Sequence, residues 1–300
     1  MSAECRHAPI RKLVMELFIV DAFANKIFEG NQAGVVLLSG NEAFPEEALM
    51  QKIAAELKHS ETVFVKEIDS HVFQLRYFTP EGEIALCGHA TVSAFTVLRN
   101  ERAIGTDSFF ADTSVGRLNI AVEPDLVWLE MAQGRIEKHL DAEECAGLYQ
   151  AYNLSVCDQP DGIQPCVVST GLADVLLPVN SKKALDHAVQ NREEIIRISK
   201  ELAVTGVHMF YYEPSLQATA YCRNFAPLYG IDEESATGTS NASLTYYLSL
   251  QGKIKPNANN MFIQGEAMGK PSVILSRMND DGGIYIGGNA VISVKGQFYF

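Results

Sequence analysis

The chain lacks the short patterns that would declare a chemistry at once. It has no C-x-x-C pair, no H-E-x-x-H, no G-x-S-x-G and no G-x-G-x-x-G placed after a strand. Zinc ribbons, zincin-type hydrolysis, the hydrolase nucleophile elbow and dinucleotide binding on a Rossmann turn therefore have no support. The stretch "GEAMGKPS" falls one residue short of a Walker A loop, and Pro271 stands where that loop needs a hydroxyl. No run of 18 apolar residues occurs, which removes the signal for a membrane-spanning helix. Positive charge is also scarce: 24 Lys+Arg against 37 Asp+Glu leave −13, which opposes nucleic acid or an anionic membrane as partner. Residues 1–18 hold no continuous hydrophobic region, so no signal peptide is expected. Six scattered cysteines are too few for a disulfide scaffold. A reducing cytoplasm is expected, with the Asn-x-Ser matches at Asn153 and Asn241 idle.

What is present is an ordinary globular composition, 47% hydrophobic and 20% charged, in 300 residues. That length allows one large or two modest domains. A strand pattern begins at Met15, and residues 1–14 read as an extension. Strands are expected at "ELFIVDAF", "AGVVLL", "ETVFV" and "VFQLRYFTP", with a helix from "FPEEALMQKIAAEL" between the second and third. A helix is expected over His89–Arg99, then strands at "SFFAD", "RLNIAVE" and "LVWLEM". The second half repeats this grammar. "CVVSTGLADVLLPV" reads as two strands around a turn, "NREEIIRISKELAV" and "SNASLTYYLSL" as helices, and the remaining apolar pieces as strands.

One internal similarity stands out. Arg76-Tyr77-Phe78-Thr79-Pro80, a short acidic turn and Cys87-Gly88-His89-Ala90 lead into a helix. Arg223-Asn224-Phe225-Ala226-Pro227, a longer acidic turn and Thr237-Gly238-Thr239-Ser240 do the same. Glu83 and Glu233 each precede their glycine by five residues. This is a duplication, with a glycine-containing loop at a helix N-terminus in each half. Helix N-termini present free N–H groups and positive potential, so two that face a cleft would hold a small carboxylate-bearing molecule. Gly88 and Gly238 would let backbone and ligand approach closely, while Thr91, Thr239 and Ser240 could cap or donate.

Around these loops, several side chains carry two readings each. Cys87 is either a thiol activated at a helix start or a small core residue, and its counterpart Thr237 leaves a two-thiol mechanism without its second member. His89 is an acid, base or substrate donor, or else a satisfied structural group. As a metal ligand it finds no second His or carboxylate at ligand spacing, so no metal is expected. Glu61, at the mouth of an apolar strand, is a general acid–base candidate if desolvated, and a solvent-facing strand start if not. Glu234 is a second acid or an orienter of His89, or simply a charge in "DEES".

In order along the chain, "VDAFANKIFEGNQAGVVLL", "SETVFV", "LRYFTPEGEIALCGHAT", "RNFAPLYGIDEESATGTSNASL" and "GEAMGKPSVI" resemble the phenazine-biosynthesis isomerase-like family, of the diaminopimelate epimerase-like fold. The resemblance spans Val20 to Ile274. It implies an α/β (α+β) fold of two pseudo-symmetric halves, each a curved mixed sheet around a central helix, with the active site in the cleft between them. The expected division is residues 1–127 plus 288–300 against 128–287, with central helices from His89 and Ser240. It further implies a homodimer without metal or organic cofactor. The reaction it implies is the isomerisation of a small carboxylate, in the founding case a dihydro-hydroxyanthranilate, by a Glu that moves a proton between carbons. By motif that Glu is Glu61, with Gly88 and His89 in the substrate loop. The family's Asp falls on Glu234 and its Ser on Thr239. These two departures keep a carboxyl and a hydroxyl but place the founding substrate in question. A racemase, epimerase or dehydratase using Cys87, and a non-catalytic binding or scaffold protein, are the alternatives.

Overall fold

A computed structural model describes residues 14–38, 43–213 and 217–300. Of the extension expected at residues 1–14, all but Val14 lies outside these. The first repeat runs β1 (Val14–Ala22), β2 (Asn31–Leu37), α1 (Glu47–Leu57), β3 (Glu61–Glu67), β4 (Val72–Phe78), β5 (Glu83–Ile84), α2 (Gly88–Glu101), β6 (Ser108–Thr113), β7 (Gly116–Val122) and β8 (Val127–Glu130). It is followed by β9 (Arg135–His139) and α3 (Ala142–Gln150). The second repeat runs β10 (Cys166–Ser169), β11 (Ala173–Val179), α4 (Lys182–His187), α5 (Arg192–Leu202), β12 (Val207–Tyr212), β13 (Ala220–Ala226), β14 (Ile231–Glu234), α6 (Gly238–Leu250), β15 (Asn260–Gln264), β16 (Ser272–Met278) and β17 (Ile284–Gly288). The chain ends with β18 (Ala290–Tyr299).

Strand pairing makes the duplication explicit. β1–β2 is antiparallel, β2–β3 parallel, β3–β4 antiparallel, and β4 pairs antiparallel with β5 and parallel with β6. β10–β11, β11–β12, β12–β13, β13–β14 and β13–β15 repeat that series in the same senses. Antiparallel meanders close each series, β6–β7–β8 and β15–β16–β17. β18 pairs with β1 as β9 pairs with β10, so the C-terminal strand crosses back to the first repeat. β8 pairs with β17, which joins the repeats into one 18-stranded sheet.

The two central helices explain themselves by burial. From His89 to Leu98 every residue of α2 is buried, and α6 is buried over most of its length. A helix enclosed on all sides cannot show a polar face, so its polar residues can be partnered only from inside. Thr91 is: its hydroxyl donates to the Cys87 carbonyl at 2.7 Å and meets the Tyr77 hydroxyl at 2.7 Å, whereas the buried hydroxyls of Ser93 and Thr96 have no partner among the described residues. Both helices share one apolar core, while α3, α4 and α5 cover a second cluster on the outer face and α1 a third.

The repeated Arg and Glu prove to be a shared clamp. Arg76 pairs with Glu83 at 2.6 Å and lies over the Phe78 ring; Arg223 pairs with Glu233 at 2.8 Å and lies over the Phe225 ring. Each clamp pins its acidic turn to the strand two residues before the aromatic ring. The second is the more enclosed, with side chains 11% and 16% exposed, and Arg223 also donates to the carbonyls of Leu185 and Ala188. Removing one partner of an enclosed pair strands the other. Arg223→Ala is therefore expected to cost about 3 kcal/mol in denaturant unfolding, against about 1 kcal/mol for Arg76→Ala. Equal losses would mean that enclosure does not set the strength of the clamp.

Candidate active site

Glu61 is the first residue of β3. Helix α1 ends on Lys58 in the left-handed conformation, and three residues later the chain enters the sheet with Glu61 beside Ala33 of β2. This leaves the carboxyl buried at the end of the strand, 8% exposed. His89 is the second residue of α2 and also buried. Glu61 Oε2 lies 3.0 Å from His89 Nε2. Glu234, the last residue of β14, approaches from the other repeat, with Oε1 3.9 Å from His89 Nδ1. The three residues that the sequence singled out for proton transfer thus converge.

Asn31, which that reading did not single out, ties them together. Its Nδ2 donates to Glu234 Oε1 at 3.0 Å and to the Ala236 carbonyl at 3.1 Å, and lies 3.3 Å from His89 Nδ1. Gly30 makes its position possible. At φ +73° a Cβ there would sit 2.2 Å from the Ala22 carbonyl oxygen, so only glycine turns the chain into β2 this way. The Gly-Asn pair ahead of an apolar strand was the available signal. On the other side of Glu234, the Thr237 hydroxyl donates to Oε2 at 2.5 Å, and Gln264 donates to both the Thr237 hydroxyl and the Glu234 carbonyl. The extra methylene of Glu234 is thus taken up by two fixed donors.

The charges sort the two carboxyls. Burial pushes Glu61 up, but the His89 charge and hydrogen bonds from His89, Ser60 and Cys87 outweigh it and hold Glu61 below the usual carboxylate range. Glu234 is pushed up to about 7 by burial, with the nearby charge of Glu61 adding to it. Burial acts against charging His89. Negative charge at Cys87 and Glu61, with the hydrogen bonds they accept, nevertheless raises it well above the ordinary imidazole value. Burial and the Glu61 charge raise the Cys87 thiol, with the His89 charge acting against them. Glu61, held low, and Glu234, pushed up to about 7, thus stand on either side of His89, which is raised.

Gly88 and Gly238 open α2 and α6. A Cβ at Gly88 would meet nothing within 4 Å, and one at Gly238 only ordinary contacts, so packing demands glycine at neither. Among the described residues, the N–H groups of Gly88, His89, Gly238 and Thr239 find no acceptor, and the Thr239 hydroxyl has no partner. The capping expected of Thr91 and Ser240 does not occur. Thr91 bonds to Cys87 and Tyr77, and Ser240 donates to buried Asp174 at 2.6 Å. Cys87 Sγ lies 3.4 Å from His89 Nδ1, so the thiol touches the candidate machinery.

Residues 20–296 match the family described as phenazine biosynthesis-like protein. The chain belongs to that family. It is 31% identical to the uncharacterized isomerase YddE of Escherichia coli K12 over 92% of this chain and 96% of the relative. A crystal structure of a Bacillus anthracis phenazine biosynthesis protein superposes with a TM-score of 0.82 at 25% identity, covering 95% of this chain and 99% of that one. A hydroxyproline epimerase from Agrobacterium vitis shares the fold, with a TM-score of 0.62 at 13% identity over 96% and 93% of the two chains. The diaminopimelate epimerase-like fold and membership of an isomerase family follow.

Because the hydrogen bond from Asn31 favours the ionised form of Glu234, its loss shifts that carboxyl upward. In Asn31→Ala, ¹³C-carboxyl NMR should show the Glu234 midpoint move above its wild-type value near 7. An unchanged or lower midpoint would refute the bridging role of Asn31.

Proposed function

We propose that this protein is a cofactor-independent isomerase that moves a proton within a small carboxylate-bearing, cyclic or amino-acid-like substrate. Support comes above all from one observation: Glu61, ionised and buried against His89, faces a second carboxyl whose surroundings push its pKa the opposite way. Such divergence is how one site separates base from acid. Glu61 takes a proton from a substrate carbon and, once protonated, returns it to another carbon. His89 keeps Glu61 ionised beforehand and offsets the charge that develops. Glu234 donates a hydrogen bond, and the free N–H groups at Gly88, Gly238 and Thr239, with the Thr239 hydroxyl, receive the substrate carboxylate.

A carboxylate held below its usual pKa is a weak base. The carbon acid must therefore be activated, its anion delocalised into a ring π system or an adjacent unsaturated group. This favours a cyclic diene-like acid over a simple α-amino acid. The homodimer and cytoplasmic location belong to the same proposal. Among the described residues no helix is long and apolar enough to cross a membrane.

The first test is turnover of the dihydro-hydroxyanthranilate substrate in D₂O, followed by absorbance and mass spectrometry. Deuterium should enter the product, and Glu61→Gln should lower the rate by about 10³-fold with the fold intact. Full activity in that variant would end the role of Glu61. A second test is the pH profile. Glu234, raised to about 7, is protonated below that value and loses its proton above it. kcat/KM should therefore fall as pH rises through about 7, and Glu234→Gln should abolish that alkaline limb. An alkaline limb that survives in the variant belongs to another group.

A further inference from the structure

Glu61 Oε, Cys87 Sγ and a ring nitrogen of His89 lie within 4.8 Å of one another, and all three residues are buried. Among the described residues this is the one such group of His, Cys and carboxylate donors. We propose that it forms a binding site for a thiophilic divalent cation, Zn²⁺ by its chemistry, and that the bound ion switches the candidate active site off. Local spacing does not foresee this site, because its carboxylate comes from β3 and its other two donors from the start of α2.

The donors are close enough to share an ion. Zinc–ligand lengths near 2.0–2.3 Å in a tetrahedron place donor atoms roughly 3.3–3.6 Å apart. His89 Nε2 lies 3.0 Å from Glu61 Oε2 and 3.8 Å from Cys87 Sγ, close to that spacing, while Sγ is nearer Nδ1 at 3.4 Å, so the Cys87 side chain turns towards Nε2 when the ion binds. Glu61 Oε2 is itself buried and lies 3.0 Å from His89 Nε2. A thiolate, a neutral imidazole and a carboxylate match the preference of zinc for mixed sulfur, nitrogen and oxygen donors. With Zn²⁺ they form a complex of no net charge, which a buried site tolerates far better than a lone ion. Ser60, whose hydroxyl lies 3.4 Å from His89 Nε2, stands where it can bond a water in the fourth position. The ion would occupy Glu61 and His89, the atoms needed for proton transfer, so binding and turnover exclude each other.

The binding test needs no substrate, so its failure is distinct from failure of the isomerase reading. Co²⁺ is titrated into the full-length protein while the near-ultraviolet thiolate-to-cobalt charge-transfer band is followed. The proposal expects saturation at one ion per chain, displacement by Zn²⁺, and loss of the band in Cys87→Ser. It also expects weakening by about tenfold or more in Glu61→Gln. No band, or an equal band in Cys87→Ser, overturns the site; exposed Cys157 would give the second result. Should Cys87→Ser not fold, zinc X-ray absorption on the wild type decides. One sulfur among otherwise nitrogen and oxygen ligands supports the site, and none or several overturns it. If the chain turns over substrate, Zn²⁺ should inhibit it and a chelator should restore it. Undiminished turnover with Zn²⁺ bound would refute the switch.

Discussion

A carboxylate and an imidazole 3.0 Å apart, both out of water, are what the rest of this site must accommodate. Neither group would ionise there alone, since burial acts against charge on each. Together they do, and the consequence spreads outward. The negative charge of Glu61 helps to push Glu234 up to about 7, and burial with the same charge raises the Cys87 thiol. One ion pair thus sets the protonation of four side chains from two repeats. Asn31 and Thr237, the latter held by Gln264, then fix where the two oxygens of the second carboxyl, Glu234, point.

The duplicated fold makes the asymmetry of the site visible. Thr62 pairs with Phe78 in the first repeat and Val207 with Phe225 in the second, and these two phenylalanines occupy the same place in the repeated R-x-F-x-P stretch. By that register Glu61 corresponds to Gly206. A Cβ at Gly206 would sit 2.0 Å from the Phe225 carbonyl oxygen, so the second repeat has no room for a side chain where the first keeps its base. Likewise Cys87 corresponds to Thr237 and His89 to Thr239. Duplication supplied two equivalent helix starts, and only the first acquired titratable groups. The second carries hydroxyls and contributes one carboxyl, Glu234, by a strand that ends beside His89.

Much of this was legible in the residues. The Arg-to-Pro stretches, the acidic turns and the glycine loops announced the repeat, and α2 and α6 begin within two residues of where they were expected. The clamp was seen only as spacing: Glu83 and Glu233 read as turn charges until Arg76 and Arg223 were found across the strand pairs. Helix α3 escaped notice although Asp141 and Glu144 form a capping box at its start. β5 and β14 were too short to show a period of two. Asn31 stayed hidden for a physical reason. Its importance lies in contacts to residues 58 and 203 positions away, which no local pattern encodes.

The contrast between carboxylate and thiol also bears on what kind of reaction this architecture suits. Inverting a carbon centre needs a proton acceptor on one face and a donor on the other. A pair of thiols at the two helix starts would provide that, and here the second start carries Thr237, whose hydroxyl is already committed to Glu234. What stands beside His89, on the proposed mechanism, is a single anionic base with a cation at its back. Such a base must return its proton to the face from which it took it, at the same carbon or at one within reach along a delocalised anion. The first choice regenerates the substrate and the second shifts a double bond. With one base, as proposed, isomerisation is the productive course open to proton transfer, and the lack of a second thiol is consistent with that reading.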